Sequence, residues 1–189
     1  ADAERASGLD GITVVSVPSP SMDFLAFNLD RPFFQNEKAR QAMMYAIDRQ
    51  GIVNAVLQGE GTVVNSSIFG PDWMGVPEGL ELYEYDPDKA KALLAESGFS
   101  TDEKITYLGL PQYPELLRTG EILKENLAAI GINMEIEQQE VTVWGQNFFA
   151  HNYQITSGYW SSIIDPDQFW SQLLLSTSPS NVTGYSNPD

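Results

Sequence analysis

A single histidine, no cysteine and 26 acidic side chains set the chemistry open to this 189-residue chain. A Ser–His–Asp relay would have to run through His151, whose neighbours Asn152 and Tyr153 form neither a nucleophile elbow nor an oxyanion-hole signature. His151 reads instead as a surface histidine at a helix end. Disulfides, thiolate zinc sites and cysteine nucleophiles are excluded by composition. One imidazole among scattered acids gives no convergent ligand set, so no metal and no cofactor are assigned. Carboxylate pairs abound, but none is set apart as the acid and base of a hydrolase. Gly59-Glu60-Gly61 does not extend into a phosphate-binding loop.

The one concentrated feature is aromatic. In SGYWSSIIDPDQFW, residues 157–170, Tyr159 and Trp160 close a predicted strand, and Asp165, Pro166 and Asp167 open a helix. In an open α/β sheet, ligands gather beyond the carboxyl ends of the strands. Aromatic rings placed there offer flat faces to a solute. Alternation along a strand would equally put one of the two rings in the core and the other outside. Phe69 and Trp73, in a stretch without periodicity over 59–85, are further candidates for such a wall.

Charge narrows the partners. The 26 acids against 10 basic residues give a formal charge of −16, which repels phosphate backbones and anionic lipid. No nucleic-acid partner is expected. No run of about 18 apolar residues exists to span a membrane.

The elements that must position these residues are legible from periodicity. The β-branched run 12–17 and the segment 22–29 predict strands. A helix is predicted over 37–49, with Asn36 as N-cap and Ala39, Ala42, Met43, Ala46 and Ile47 on one face. Gly51 is expected to interrupt it before a second short helix. Asp86 caps a helix with Pro87 at its first position, and Gly98 ends it with Phe99 as the apolar contact beyond. A strand at 104–110 follows, then a helix over 114–130, stopped by Gly131. A half-buried strand carries Ile132, Met134 and Ile136. A short helix, a strand at 153–160 and a last helix over 166–175 complete the chain. This order predicts an α/β layer with at least partly parallel pairing.

The stretch LAFNLDRPFFQNEKARQAMMYAIDRQGIV, residues 25–53, resembles a segment of the extracytoplasmic solute-binding proteins of family 5, the peptide- and nickel-type receptors of ABC importers. The residues that carry the likeness are Phe27, Asn28, Pro32, Phe33, Arg40, Gln41, Ala42, Ala46, Ile47, Asp48 and Arg49. Four more blocks match in order: YDPDKAKALLAESGF, LKENLAAIGINMEI, GYWSSIIDPDQFW and NVTGYSNPD. The resemblance implies one lobe of a two-lobed periplasmic-binding-protein-like fold, a mixed sheet flanked by helices. Residues 1–189 would form a single ligand-binding lobe, with the N-terminal lobe and a C-terminal continuation outside them. The helix at 37–49 then reads as scaffold, with Arg40 and Asp48 tying it to neighbouring loops.

The implied function is non-catalytic capture of a small solute outside the cytoplasm or in the periplasm, for delivery to an ABC transporter membrane permease. No stable homo-oligomer is expected. The implied ligand residues are Trp160, Tyr159, Ser162, Asn28, Trp73 and Phe69, with Asn28 near the crossover to the other lobe. One position departs from the family. Peptide-binding members carry an Asp three residues after the strand-end Trp, where it holds the peptide ammonium. The corresponding position here is Ile163 or Ser162, depending on the direction of counting. Asp165 reads as a cap of the following helix. A lost carboxylate removes a contact worth roughly 1.5–3 kcal/mol. That departure counts against a peptide; the resemblance as a whole still implies an oligopeptide or dipeptide first as the ligand, with an opine, an oligosaccharide or another non-peptide solute as the alternative. A hydrolase using a carboxylate pair stands behind both.

Overall fold

Residues 2–15, 17, 21–64, 79, 82–100, 104–161 and 165–187 are described by a computed structural model, those of 2–4, 166 and 168–170 without their side chains. Among the described residues four strands form one sheet: β1 (Met22–Phe27), β2 (Ile105–Gly109), β3 (Met134–Gln138) and β4 (Ile155–Trp160). Their order is β1-β4-β2-β3. β2 runs parallel to both β3 and β4, and β1 runs antiparallel to β4, so the sheet is mixed as expected.

Strand residues alternate between the two faces of a sheet. On one face Leu25, Phe27, Ile105, Tyr107 and Ile155 meet a helical layer that contributes Ala42, Met43, Leu94, Leu123 and Leu127. On the other, Phe24, Ala26 and Leu108 pack with Trp144 and Phe148 of α7 (Val141–Phe149), and with Tyr153 and Val182. Tyr153 is buried, and its hydroxyl donates to the Val182 carbonyl at 2.8 Å. Burial first, then the nearby Asp30, pushes its phenol above the usual tyrosine range.

The helical layer consists of α3 (Glu37–Ala46), α5 (Pro87–Ser97) and α6 (Pro114–Ala129). Asn36 caps α3 by accepting from the Ala39 N–H at 3.1 Å. The small residues Ala39, Ala42 and Ala46 are buried along its inner face, beside Ala90 and Leu94 of α5. α5 is bounded as its sequence predicts. Asp86 accepts from the Lys89 N–H at 2.9 Å, Pro87 occupies the first turn, and Gly98 takes the left-handed conformation at φ 67°. Phe99 then packs edge-on against Phe33, 4.2 Å between ring centroids.

Three expectations need correction. The helix predicted over 37–49 ends at Ala46, because Ile47 turns to extended backbone. Asp48 caps a new helix, α4 (Arg49–Val56), by accepting from the Gly51 N–H at 2.8 Å. Gly51 therefore lies inside the first turn of α4 and does not mark the break. Arg49 then ties the junction down by donating to the Met44 and Tyr83 carbonyls at 3.1 and 2.9 Å. Second, residues 12–15 and 17 form no strand, and Ile12, Val14, Val15 and Val17 are exposed. β-branched residues favour strands only where a sheet is there to receive them, and none of the four strands pairs with this run. Third, two short helices were not foreseen: α1 (Asp2–Ser7) and α2 (Pro32–Gln35), the second burying Phe33 and Phe34. The last helix, α8 (Pro166–Leu173), opens with the Asp167 N–H donating to Asp165 Oδ1 at 2.9 Å, the capping role expected of Asp165.

Candidate functional site

The parallel strands β2, β3 and β4 all end at the same edge of the sheet, at Gly109, Gln138 and Trp160. β1 runs the other way, so its first residues arrive there too: Met22 stands opposite Trp160 and Asp23 opposite Tyr159. α6 begins beside this edge, with Tyr113 preceding Pro114 and Glu115 in its first turn.

Alternation decides where the two strand-end aromatics face. Tyr159 shares a face with its register partner Asp23, on the side of the sheet that α6 covers. It is 52% exposed, and its ring lies 6.3 Å from that of Tyr113. Trp160 faces the α7 side, half-buried, 6.5 Å from the Phe24 ring. Neither ring is in the core, and the two do not share a face.

Asp23 is exposed as a residue, but the protein around its carboxyl desolvates it. That desolvation, and secondarily the charge of Glu115, raise its pKa above the ordinary carboxylate value. Beneath this patch the geometry is fixed by Tyr107. Its buried hydroxyl donates to the Leu116 carbonyl at 2.8 Å and makes a short hydrogen bond with Ser157 Oγ. Burial pushes the phenol up to about 12, against the opposing effect of the Ser157 bond. The first turn of α6, with Tyr113 and Glu115, is thereby pinned to the strand that carries Tyr159. Gly120 permits this closeness, since a Cβ there would stand 2.4 Å from Tyr107 Cε1.

The other residues singled out in the sequence lie elsewhere. Asn28 follows the far end of β1 and is completely buried. Its Nδ2 donates to the carbonyls of His151 at 2.7 Å and Tyr153 at 2.8 Å, and its Oδ1 accepts from the Asp30 N–H at 3.0 Å. Both donors are spent on backbone, so the Asn28 side chain braces the chain on either side of it. Arg31 reinforces the same two carbonyls, at 3.2 Å from Tyr153 and 2.9 Å from His151. His151 closes α7 at φ 55°, with Nδ1 2.8 Å from Asp30 Oδ2, again at the end of the sheet away from Tyr159. It is the helix-end histidine expected. Ser162, Trp73 and Phe69 lie outside the described residues. Among the described residues no three His, Cys, Asp or Glu side chains gather closely enough to hold a metal ion.

Sequence reasoning missed Asp23, Tyr113 and Glu115. The signal for the first was an acid breaking an otherwise apolar strand, MDFLAF. For the other two it was a helix start directly after a parallel strand, where the first turn must face the strand ends.

Residues 1–181 match the family described as bacterial extracellular solute-binding proteins, family 5, middle. The chain is 28% identical over 194 residues to the dipeptide-binding protein of Escherichia coli strain K12, covering 98% of the chain and 36% of that protein. It is 34% identical over 175 residues to heme-binding protein A of Haemophilus influenzae, covering 88% of the chain and 31% of that protein. Among solved structures it superposes, with a TM-score of 0.83 and 29% identity, on the dipeptide-binding protein of Pseudoalteromonas sp. SM9913 in complex with Met-Leu, covering 98% of the chain and 38% of that structure. The chain thus spans about a third of the length of the curated relatives it matches.

Proposed function

The chain belongs to the bacterial extracellular solute-binding proteins of family 5, and from that premise we propose that it is one lobe of a peptide receptor serving an ABC importer. In this reading residues 1–189 supply one wall of a cleft, and the rest of a longer polypeptide supplies the other. The observation that carries it is the patch at the carboxyl ends of β2, β3 and β4. The exposed ring of Tyr159 stands there, 6.3 Å from the half-buried ring of Tyr113 and in register with Asp23.

The chemistry required of such a wall is recognition. A solute touching both walls stabilises the closed arrangement in proportion to the contacts it gains there, and the open–closed population shifts accordingly. Tyr107 and Asn28 contribute by rigidity: one fixes the first turn of α6, the other the loop before β4. No acid–base step is needed, and the protein is read as a non-catalytic receptor that works outside the cytoplasm and hands its solute to a membrane permease.

The heme-binding relative suggests a second solute. The two propionates of a heme, each a monoanion, would meet a patch already carrying Asp23 and Glu115, and the single histidine, His151, is engaged with Asp30 at the other end of the sheet. Peptide is therefore preferred.

Calorimetry and thermal shift of the full-length protein with a dipeptide panel test the reading, because a bound solute raises the melting temperature by mass action. Peptides should stabilise it, and heme should not. If a full-length receptor binds with a dissociation constant of about 1 μM, about −8 kcal/mol, one wall contributing half would bind at about 1 mM. Micromolar peptide binding by residues 1–189 alone would overturn the one-wall arrangement; a full-length protein stabilised by no peptide would overturn the function.

A further inference from the structure

Ile12, Thr13, Val14, Val15 and Val17 have the composition of a strand and none of a strand's bonds. Val15 is 75% exposed and Val17 73%, with Ile12 and Val14 exposed beside them. Among the described residues, the backbone N–H and C=O groups of Thr13, Val14, Val15 and Val17 have no hydrogen-bond partner. Pro18 and Pro20, neither with an N–H to give, separate the run from β1 in sequence, so it is no extension of that strand. The four described strands pair only among themselves.

Successive strand residues point to opposite faces. Laid out as a strand, Ile12 and Val14 take one face and Thr13, Val15 and Val17 the other, so both faces are largely apolar. A strand with one wet face alternates apolar and polar; one apolar on both faces belongs inside a sheet that is covered on both sides. Residues 12–17 also carry no charge. An uncharged β-branched run left open is a template for aggregation, which natural edges blunt with charge or proline. About two-thirds of the length of the curated relatives lies outside the part this chain matches, enough for a second sheet. A second copy of the chain is a poorer occupant, since two bodies of charge −16 repel each other.

We propose that Ile12, Thr13, Val14, Val15 and Val17 form a strand within the sheet of the companion lobe, paired with strands that lie outside residues 1–189, and that the chain crosses from that lobe into this one before β1. The proposal rests on the one-lobe reading and adds which residues of this chain the other lobe takes up. The contact is made by backbone hydrogen bonds and two apolar faces, so it holds with or without solute.

Hydrogen–deuterium exchange of the solute-free full-length protein, read by mass spectrometry, tests it. The amides of residues 13–17 should exchange roughly 100-fold or more slowly than in an unstructured peptide. Exchange at the unstructured rate overturns the proposal. So does protection that disappears on dilution together with a dimer seen by sedimentation, which assigns the run to a second copy. Val15→Lys puts a charge into the strand: exchange should quicken around residue 15 and in segments outside residues 1–189, while β2, β3 and β4 keep their wild-type rates. Faster exchange confined to residues 22–187 places the run in this lobe and overturns the proposal. The wild-type measurement stands whether or not this variant folds. Protected amides in a protein that no peptide stabilises keep the strand and overturn the receptor reading alone.

Discussion

Gly120→Ala sets two opposing effects against each other at the base of the site. Gly120 lies in the interior of α6, where alanine is favoured over glycine by about 1 kcal/mol. Propensity alone therefore predicts stabilisation. The added Cβ, however, would stand 2.4 Å from Tyr107 Cε1 and 2.8 Å from Cδ1 and Cζ, whereas ordinary contact begins at 3.4 Å. About 1 Å must open. The Tyr107 ring cannot readily provide it, being fully buried and held through its hydroxyl to the Leu116 carbonyl and Ser157. The helix must lift instead. Overpacking of this kind costs about 1–3 kcal/mol, and straining the Tyr107 hydrogen bonds adds about 1 kcal/mol. After the propensity gain, the net loss is about 1–3 kcal/mol. Urea unfolding of this chain, followed by circular dichroism, measures it. A double-mutant cycle isolates the cause: in a Tyr107→Leu background the obstructing ring is gone, and Gly120→Ala should become neutral or mildly stabilising. Lifting α6 also withdraws Tyr113 and Glu115 from Tyr159, so peptide affinity of the full-length protein should fall. A Gly120→Ala protein more stable than wild type, with Tyr107 intact, would refute the reasoning.

Four other outcomes are expected. Asn28→Ala removes three hydrogen bonds, but Arg31 still serves both carbonyls, so the loss should be about 2–3 kcal/mol in urea unfolding; Asn28→Asp should be worse, because it points a carboxylate oxygen at the same two carbonyls. Tyr107→Phe should cost about 1–3 kcal/mol by leaving Ser157 without its phenol partner. In wild type the Tyr107 phenol is raised from 10 to about 12 in the folded state, so its contribution is complete below about pH 10 and is lost as pH climbs to about 12; stability against alkali, compared with Tyr107→Phe, reads this directly. Asp23 also has a raised folded pKa, so its folded form is favoured at acid pH and penalised once ionised. Ligand-free Asp23→Asn should therefore melt no lower, and somewhat higher, than wild type at neutral pH. Asp48→Ala should cost about 1 kcal/mol by uncapping α4, seen as a lower melting temperature.

How much was legible depended on how local the cause was. The caps at Asn36 and Asp86, the Pro87 start and the Gly98 stop act within one turn, and each is read correctly from neighbouring residues. Asp48 acts just as locally, but the apolar stripe of α3 runs straight into it through Ile47 and hides the junction. The run at 12–17 has the composition of a strand and no sheet to join within this lobe. Tyr159 and Trp160 were found from their place at a strand end, yet only the pleat and the flanking helices determine that they part to opposite faces. Asn28 carried the family pattern, but only the fold shows it buried as a brace for the chain before β4.

The sequence by itself determined the alternation of elements, the membership of the family and the absence of cysteine chemistry, because periodicity, caps and composition are properties of residues and their near neighbours. The tertiary structure alone decided that Asp23 meets Tyr159, and that Tyr113 and Glu115 join them. Those residues come from three distant segments, and only strand register and the close seating of α6 on Tyr107, permitted by Gly120, bring them to one edge. Register is a long-range choice made by the whole buried sheet, and no short stretch of residues can state it.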